Sequence, residues 1–198
     1  MSLQIDELDA RLKELREQAK VGRDPTAADE TVEAIVNWAV EHGAKRILEI
    51  GAGEGLTSCA LLLHTGASVD AVELDAGRAA RFRENAKRFG VSDRVRLMEG
   101  DAAEILPCLT GQYDLIFLDG PKVQYRRYFD DCKRLLKKGG ALFSDDILLF
   151  GWVRGEAPKK RNMLAEHLRD YLLLLENDPD FQTRIYEYGE GLAISLKL

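Results

Sequence analysis

Three aspartates and one lysine are the residues best able to do chemistry in this chain: Asp119, Asp145, Asp146 and Lys122. Asp119 follows the apolar run Tyr113–Leu118, and the Asp145-Asp146 pair follows Ala141–Ser144. Three ionised carboxylates gathered in one place repel one another unless a counter-charge joins them. A divalent cation meets that need, and all-oxygen ligation completed by water suits Mg²⁺. Lys122 stands three residues after Asp119 and reaches the same centre. Beside a metal and a substrate oxygen, a lysine can serve as a general base at lowered pKa or stabilise an oxyanion. A second group surrounds the turn Gly51-Ala52-Gly53-Glu54-Gly55. Glycines let a backbone approach a ligand where a Cβ would collide. Glu49 precedes the turn, Glu73 ends the next apolar run, and Asp101 lies in Gly100-Asp101-Ala102. A carboxylate about 20 residues beyond such a turn accepts ribose hydroxyls, so Glu73 and Asp101 suit the ribose and adenine of a nucleotide-like cofactor.

The elements that must carry these residues are legible from periodicity. Arg46–Ile50, Ser68–Glu73, Val95–Glu99, Tyr113–Leu118 and Ala141–Ser144 read as short buried strands. Helices fill the gaps at Leu56–His64, Ala76–Phe89, Ala102–Cys108 and Gln124–Leu136, with Thr57 and Ser58 opening the first. Such alternation predicts a parallel sheet covered on both faces. In such sheets ligands bind beyond the carboxyl ends of the strands. Singly, each polar residue there reads as a helix cap or a solvated turn. Five strands ending in acidic or glycine positions at one rim form a site. Towards the end of the chain, Asn162–Glu176 is a helix, and Phe181–Tyr188 and Leu192–Lys197 are strands joined by Gly189-Glu190-Gly191, too short a link for anything but an antiparallel pair. Near the start, Ile5, Leu8, Leu12 and Leu15 form the stripe of an amphipathic helix within residues 1–24, to be buried on its own domain or on a second subunit. Asp24-Pro25 is a cap and first-turn pair for a second helix whose inner face is Val32, Ile35, Val36 and Ala39. One domain spanning 1–198 is expected.

Composition narrows the class. A formal net charge of −6 gives no global attraction to nucleic acid. No run approaches the roughly 18 apolar residues of a membrane helix, and the start lacks a signal pattern, which predicts a cytoplasmic protein. Cys59, Cys108 and Cys132 are scattered and read as reduced thiols, and His42, His64 and His167 as structural or solvent-facing. The Gly-x-Gly-x-Gly spacing, in place of Gly-x-Gly-x-x-Gly, favours S-adenosylmethionine over NAD. An NAD-dependent oxidoreductase also needs a nicotinamide-side residue that the sequence lacks. A non-catalytic binding module would have no use for the acidic triad.

The segments Leu48–Ser58, Gly100–Ala102, Tyr113–Tyr125, Gly139–Val153 and Gly189–Ser195 resemble, in register, the cation-dependent O-methyltransferases of the catechol and caffeoyl-CoA type. The resemblance spans about residues 25 to 198 and implies the class I methyltransferase fold: a Rossmann-like α/β domain with a seven-stranded, mostly parallel sheet, an antiparallel terminal hairpin and helices on both faces. It further implies that Asp119, Asp145 and Asp146 bind the metal and that Lys122 is the candidate base. Glu49, Gly51, Ala52, Thr57, Glu73 and Ala102, with Gly53 and Asp119 at the same turns, would bind S-adenosylmethionine. A homodimer is the family expectation. Two departures stand out: Asp146 where the family has asparagine, which adds negative charge, and Pro121, which stiffens the loop before Lys122. Within the family, the run Lys122 to Tyr125 and the Leu149–Val153 stretch are most similar to bacterial tRNA 5-hydroxyuridine methyltransferases. That implies transfer of a methyl group to the 5-hydroxyl of a wobble uridine. A small catechol-like or caffeoyl-CoA-like phenol is the alternative acceptor. Arg126, Arg127, Arg154 and Lys159-Lys160-Arg161 are the local basic residues an RNA would require, and residues 152–161 form a loop with the character of a substrate lid.

Overall fold

The computed structural model describes residues 10–22 and 26–198. Among the described residues, seven α-helices, α1 Ala10–Gly22, α2 Asp29–Glu41, α3 Leu56–His64, α4 Ala76–Phe89, α5 Ala102–Ile105, α6 Tyr125–Leu135 and α7 Asn162–Asn177, surround one sheet. Its strands are β1 Arg46–Ile50, β2 Ser68–Glu73, β3 Val95–Glu99, β4 Tyr113–Leu118, β5 Leu136–Ser144, β6 Phe181–Tyr186 and β7 Leu192–Lys197, in spatial order β3-β2-β1-β4-β5-β7-β6. The pairs among β1 to β5 are parallel, and β7 runs antiparallel to both β5 and β6. This is the expected seven-stranded arrangement with its terminal hairpin.

Alternation along the strands separates two apolar layers, because successive side chains point to opposite faces. Ile47, Val69, Ala71, Leu115, Phe117 and Phe143 pack with α1 to α4. Leu48, Ile50, Val72, Ile116, Leu118 and Leu142 pack with α5 to α7. Covered on both faces, the strands read as continuous apolar runs.

Four boundaries differ from the sequence reading by two residues or more, each for a local reason. The β5 strand begins at Leu136 instead of Ala141, because Leu136 pairs with Tyr113 on β4 and draws in a Lys-Lys-Gly-Gly stretch that has no strand signal of its own. The helix read from Ala102 ends at Ile105 and tightens into a 3-10 turn over Leu106–Cys108, where Pro107 supplies no N–H. The β6 strand stops at Tyr186, since Tyr188 already accepts the Gly191 amide in the hairpin turn. The second helix starts at Asp29, with the expected inner face buried; Asp24 and Pro25 lie outside the described residues. Of the first helix's stripe, Leu12 and Leu15 are buried in the layer that holds α3, so the described part is covered within the chain; Ile5 and Leu8 lie outside it. Among the described residues, no helix is long and apolar enough to cross a membrane.

Candidate active site

Strand order reverses between β1 and β4, where connections leave towards opposite edges of the sheet and a crevice opens beyond the carboxyl ends. The two strands are direct neighbours, and their next residues are Gly51 and Asp119. At Gly51 φ is 87°. A Cβ there would stand 2.4 Å from the Asp119 carbonyl oxygen and 2.8 Å from the Gly120 Cα. The glycine is therefore required by the neighbouring backbone turn, not solely by a ligand.

A cavity of about 650 Å³ fills the crevice, lined by Gly51, Gly53, Glu73, Asp101, Ala102, Asp119, Lys122, Asp145 and Asp146. Beside it, across Gly51, Gly53 and Asp119, a recess of about 30 Å³ is lined by Glu49, Ala52 and Thr57. Every site residue read from the sequence thus falls on one of two adjoining hollows. Sequence reasoning missed the apolar wall of Ile50, Val72, Leu74 and Tyr128. Ile50 and Val72 were within reach of strand alternation, whereas Tyr128 arrives from α6 by tertiary packing. A separate depression of about 620 Å³ lined by Arg126, Asp170 and Leu173 holds none of the expected catalytic, cofactor or metal residues.

Backbone amides orient the cofactor-side carboxylates. Glu73 is buried and accepts from the amides of Gly53 at 2.7 Å and Asp75 at 2.8 Å, which leaves a lone pair on each oxygen for a ligand. Asp101 caps α5 by accepting from the Ala103 amide at 2.8 Å while it lines the cavity, so the cap and site readings hold together. Glu49 is buried and accepts a short hydrogen bond from the Ser58 hydroxyl. Burial pushes its carboxyl up to about 8 against that bond, and the charges of Asp119 and Glu73 push the same way. The folded state therefore binds a proton that the unfolded chain releases at lower pH. The stability Glu49 contributes is complete below the ordinary glutamate range and is lost as pH rises towards 8. Thermal melts at pH 5, 6.5 and 8 test this: the Tm of Glu49→Gln, relative to wild type, should climb steadily across the series. A constant difference would place the Glu49 proton elsewhere.

The acidic group on β4 and β5 is organised around Lys122. Its Nζ lies 2.8 Å from Asp119 Oδ1, 3.1 Å from Asp146 Oδ2 and 2.9 Å from the Tyr125 hydroxyl. Burial acts against the ammonium, but Tyr125, Asp119 and Asp146 outweigh it and hold Lys122 well above the ordinary lysine range. In this state Lys122 is a cation, not the base of lowered pKa. Buried Asp145 accepts from the Thr31 hydroxyl at 3.3 Å. Desolvation, then the charges of Asp119 and Asp146, push its carboxyl up to about 8. Full ionisation of three carboxylates against one ammonium would leave an excess of negative charge, and that donor chemistry fits a hard divalent cation. Among the described residues, no three acidic, histidine or cysteine side chains are already gathered as a ligand set; the Lys122 ammonium stands 2.8 Å from Asp119 and 3.1 Å from Asp146.

The basic residues are placed differently from the expectation. Arg126 lies on the separate depression, and Arg154 pairs with Glu187 at 3.3 Å. None of residues 152–161 lines the cavity. The Arg169 guanidinium ties down that stretch by donating to the carbonyls of Trp152, Val153 and Gly155 at 2.7, 2.8 and 2.9 Å.

Comparison with known proteins fits this geometry. Residues 6–198 match the O-methyltransferase family. A caffeoyl-CoA O-methyltransferase of Populus kitakamiensis is 28% identical over 166 residues, covering 78% of this chain and 71% of that protein. A catechol O-methyltransferase of Mycobacterium tuberculosis is 31% identical over 135 residues, covering 63% of this chain and 61% of that one. Among solved structures, a Podospora anserina methyltransferase bound to SAH superposes with a TM-score of 0.87 at 26% identity, covering 96% of this chain and 88% of that chain.

Proposed function

The chain belongs to the O-methyltransferase family and is an S-adenosylmethionine-dependent enzyme, and from that premise we propose that its acceptor is a small phenol with two adjacent oxygens, of the catechol or caffeoyl kind. The observation that carries this reading is the cluster of Asp119, Lys122, Asp145 and Asp146 in the same cavity as Glu73 and Asp101, which suit a nucleoside. Names of the relatives support the same class. The hydroxyl and carbonyl of a wobble 5-hydroxyuridine offer a similar oxygen pair. The basic residues an RNA would use lie off the cavity, so the small phenol is the better reading.

Each residue has a task in such a reaction. Glu73, fixed by the Gly53 and Asp75 amides, takes the ribose hydroxyls. Ile50, Val72, Leu74 and Tyr128 line the cavity where they would flank the adenine, and Asp101 would accept from its edge. Glu49 and Thr57 line the recess that would receive the methionine end, where the buried Glu49 carboxyl would meet a cationic amino group. Asp119, Asp145 and Asp146 would hold a divalent cation, whose Lewis acidity lowers the pKa of an acceptor hydroxyl. Lys122 places its ammonium beside the developing oxyanion, a use that its raised pKa favours over proton abstraction. The acceptor hydroxyl gives up its proton to water, and its oxygen then forms a bond to the sulfonium methyl as the carbon–sulfur bond breaks, the electron pair of that bond going to sulfur. Holding both reactants in line contributes up to about 7–11 kcal/mol in well-oriented cases.

Glu73→Ala should raise the Kd for S-adenosylmethionine at least about tenfold, roughly 1.4 kcal/mol, by calorimetric titration. An unchanged Kd would remove Glu73 from the ribose site. The function itself is tested by labelled methyl transfer with Mg²⁺ or EDTA, to catechol and to tRNA carrying 5-hydroxyuridine in parallel. Metal-dependent label in catechol supports the proposal, and label in tRNA alone overturns it.

A further inference from the structure

The loop after Asp145 follows an unusual course. Asp146, Leu149 and Phe150 have φ of 55°, 42° and 55°, and Gly151 follows at 75°. Asp tolerates this left-handed region, but leucine and phenylalanine do so only where the surroundings over-determine the backbone. The hairpin between β6 and β7 supplies that constraint. Ile147 donates its amide to the Gly191 carbonyl at 3.0 Å, and Leu148 and Leu149 donate theirs to the Glu190 carbonyl at 2.9 and 3.0 Å. The Phe150 amide donates to Glu190 Oε2. Four consecutive amides are thus taken by two residues of one turn, three of them by Glu190. On the other side of Asp146, the Asp145 amide donates to the Leu118 carbonyl at 3.0 Å. Asp146 is therefore held between two anchors, one on β4 and one on the hairpin. In that position its carboxylate reaches Lys122.

Nothing in the chemistry of methyl transfer requires a carboxylate in the hairpin. Glu190 is half-buried and remote in sequence from every residue of the cavity wall. We propose that Glu190 is a positioning residue for the acceptor end of the site: its carboxylate closes the left-handed loop at Phe150 and so sets where Asp146 stands against Lys122. The loop hangs from β5 and the hairpin, whereas the cofactor wall hangs from β1, β2 and the β3–α5 turn. Losing the clamp disturbs the first and spares the second. The inference rests on the proposed acceptor chemistry for its kinetic consequence only.

The test compares Glu190→Ala with Glu190→Gln, which keeps an oxygen that can accept from the Phe150 amide. In Glu190→Ala, hydrogen exchange at Phe150 and Leu149 should quicken at least about tenfold, and the KM for catechol should rise about tenfold. The Kd for S-adenosylmethionine should stay within about twofold, and Glu190→Gln should restore both other values. Wild-type exchange in the alanine variant overturns the proposal. Wild-type acceptor KM overturns it as well, and so does an equal loss of cofactor affinity, which would mean a general structural role. If wild-type protein methylates no catechol, the acceptor reading fails by itself, and the exchange comparison still decides the clamp.

Discussion

Replacing Asp119 with asparagine should lower kcat/KM by at least about 100-fold, or roughly 2.7 kcal/mol of transition-state stabilisation. Asp119 sits on the shared wall of the cavity and the recess, and its Oδ1 is the closest partner of the Lys122 ammonium, at 2.8 Å. An amide keeps the volume and one acceptor oxygen but removes the charge. It thereby removes one of the three carboxylates offered to a divalent cation and leaves Lys122 paired with Asp146 alone. Desolvation raises the Asp119 carboxyl despite the opposing charge of Lys122, so a bound cation would further favour its ionised form. Steady-state kinetics with saturating S-adenosylmethionine measures the loss, and circular dichroism checks that the fold is intact. Activity near wild type would show that the β4 carboxylate takes no part in the chemistry.

The second large effect is on folding. Gly51→Ala should lower Tm by about 6 to 12 °C, the shift expected of about 3 kcal/mol in a domain of this size. Its φ of 87° is costly for any L side chain, and the added Cβ would meet the Asp119 carbonyl oxygen at 2.4 Å and its carbon at 2.7 Å. Those atoms belong to the backbone at the end of β4 and cannot rotate away as a side chain can. Gly43→Ala is the control: its φ is 60°, with nothing within 4 Å of the new Cβ. Backbone conformation alone then operates, about 1 kcal/mol or 2 to 4 °C. Equal shifts in the two variants, read by calorimetry, would mean that the β1 and β4 turns are not in tight contact.

These two residues mark where sequence reasoning stops. Gly51 and Asp119 are 68 positions apart in the chain, and each was legible by itself, one as a turn glycine and the other as a strand-end carboxylate. Strand alternation and five coincident polar ends also sufficed to place the rim, because in a sheet covered on both faces the apolar runs are long and their ends abrupt. Contact between the two turns was not legible. It depends on β1 lying beside β4, a pairing that sequence order alone does not specify.

The amino-acid sequence by itself determined the α/β class, the strands, the glycine turn and the acidic rim, since all of these follow from local periodicity and residue type. Tertiary structure decided the charge states and the supports. The Lys122 side chain reads as a base beside a metal until three partners, acting against burial, hold it as an ammonium. The Glu49 carboxyl reads simply as a cofactor-side carboxylate until desolvation pushes it up to about 8. Tyr128 on the cavity wall and Glu190 beneath the Asp146 loop carry no signal in one dimension, because their roles exist only once α6 and the terminal hairpin are packed against the ends of the parallel strands. Pairing, burial and charge coupling are properties of distances through space, and a sequence records only distances along the chain.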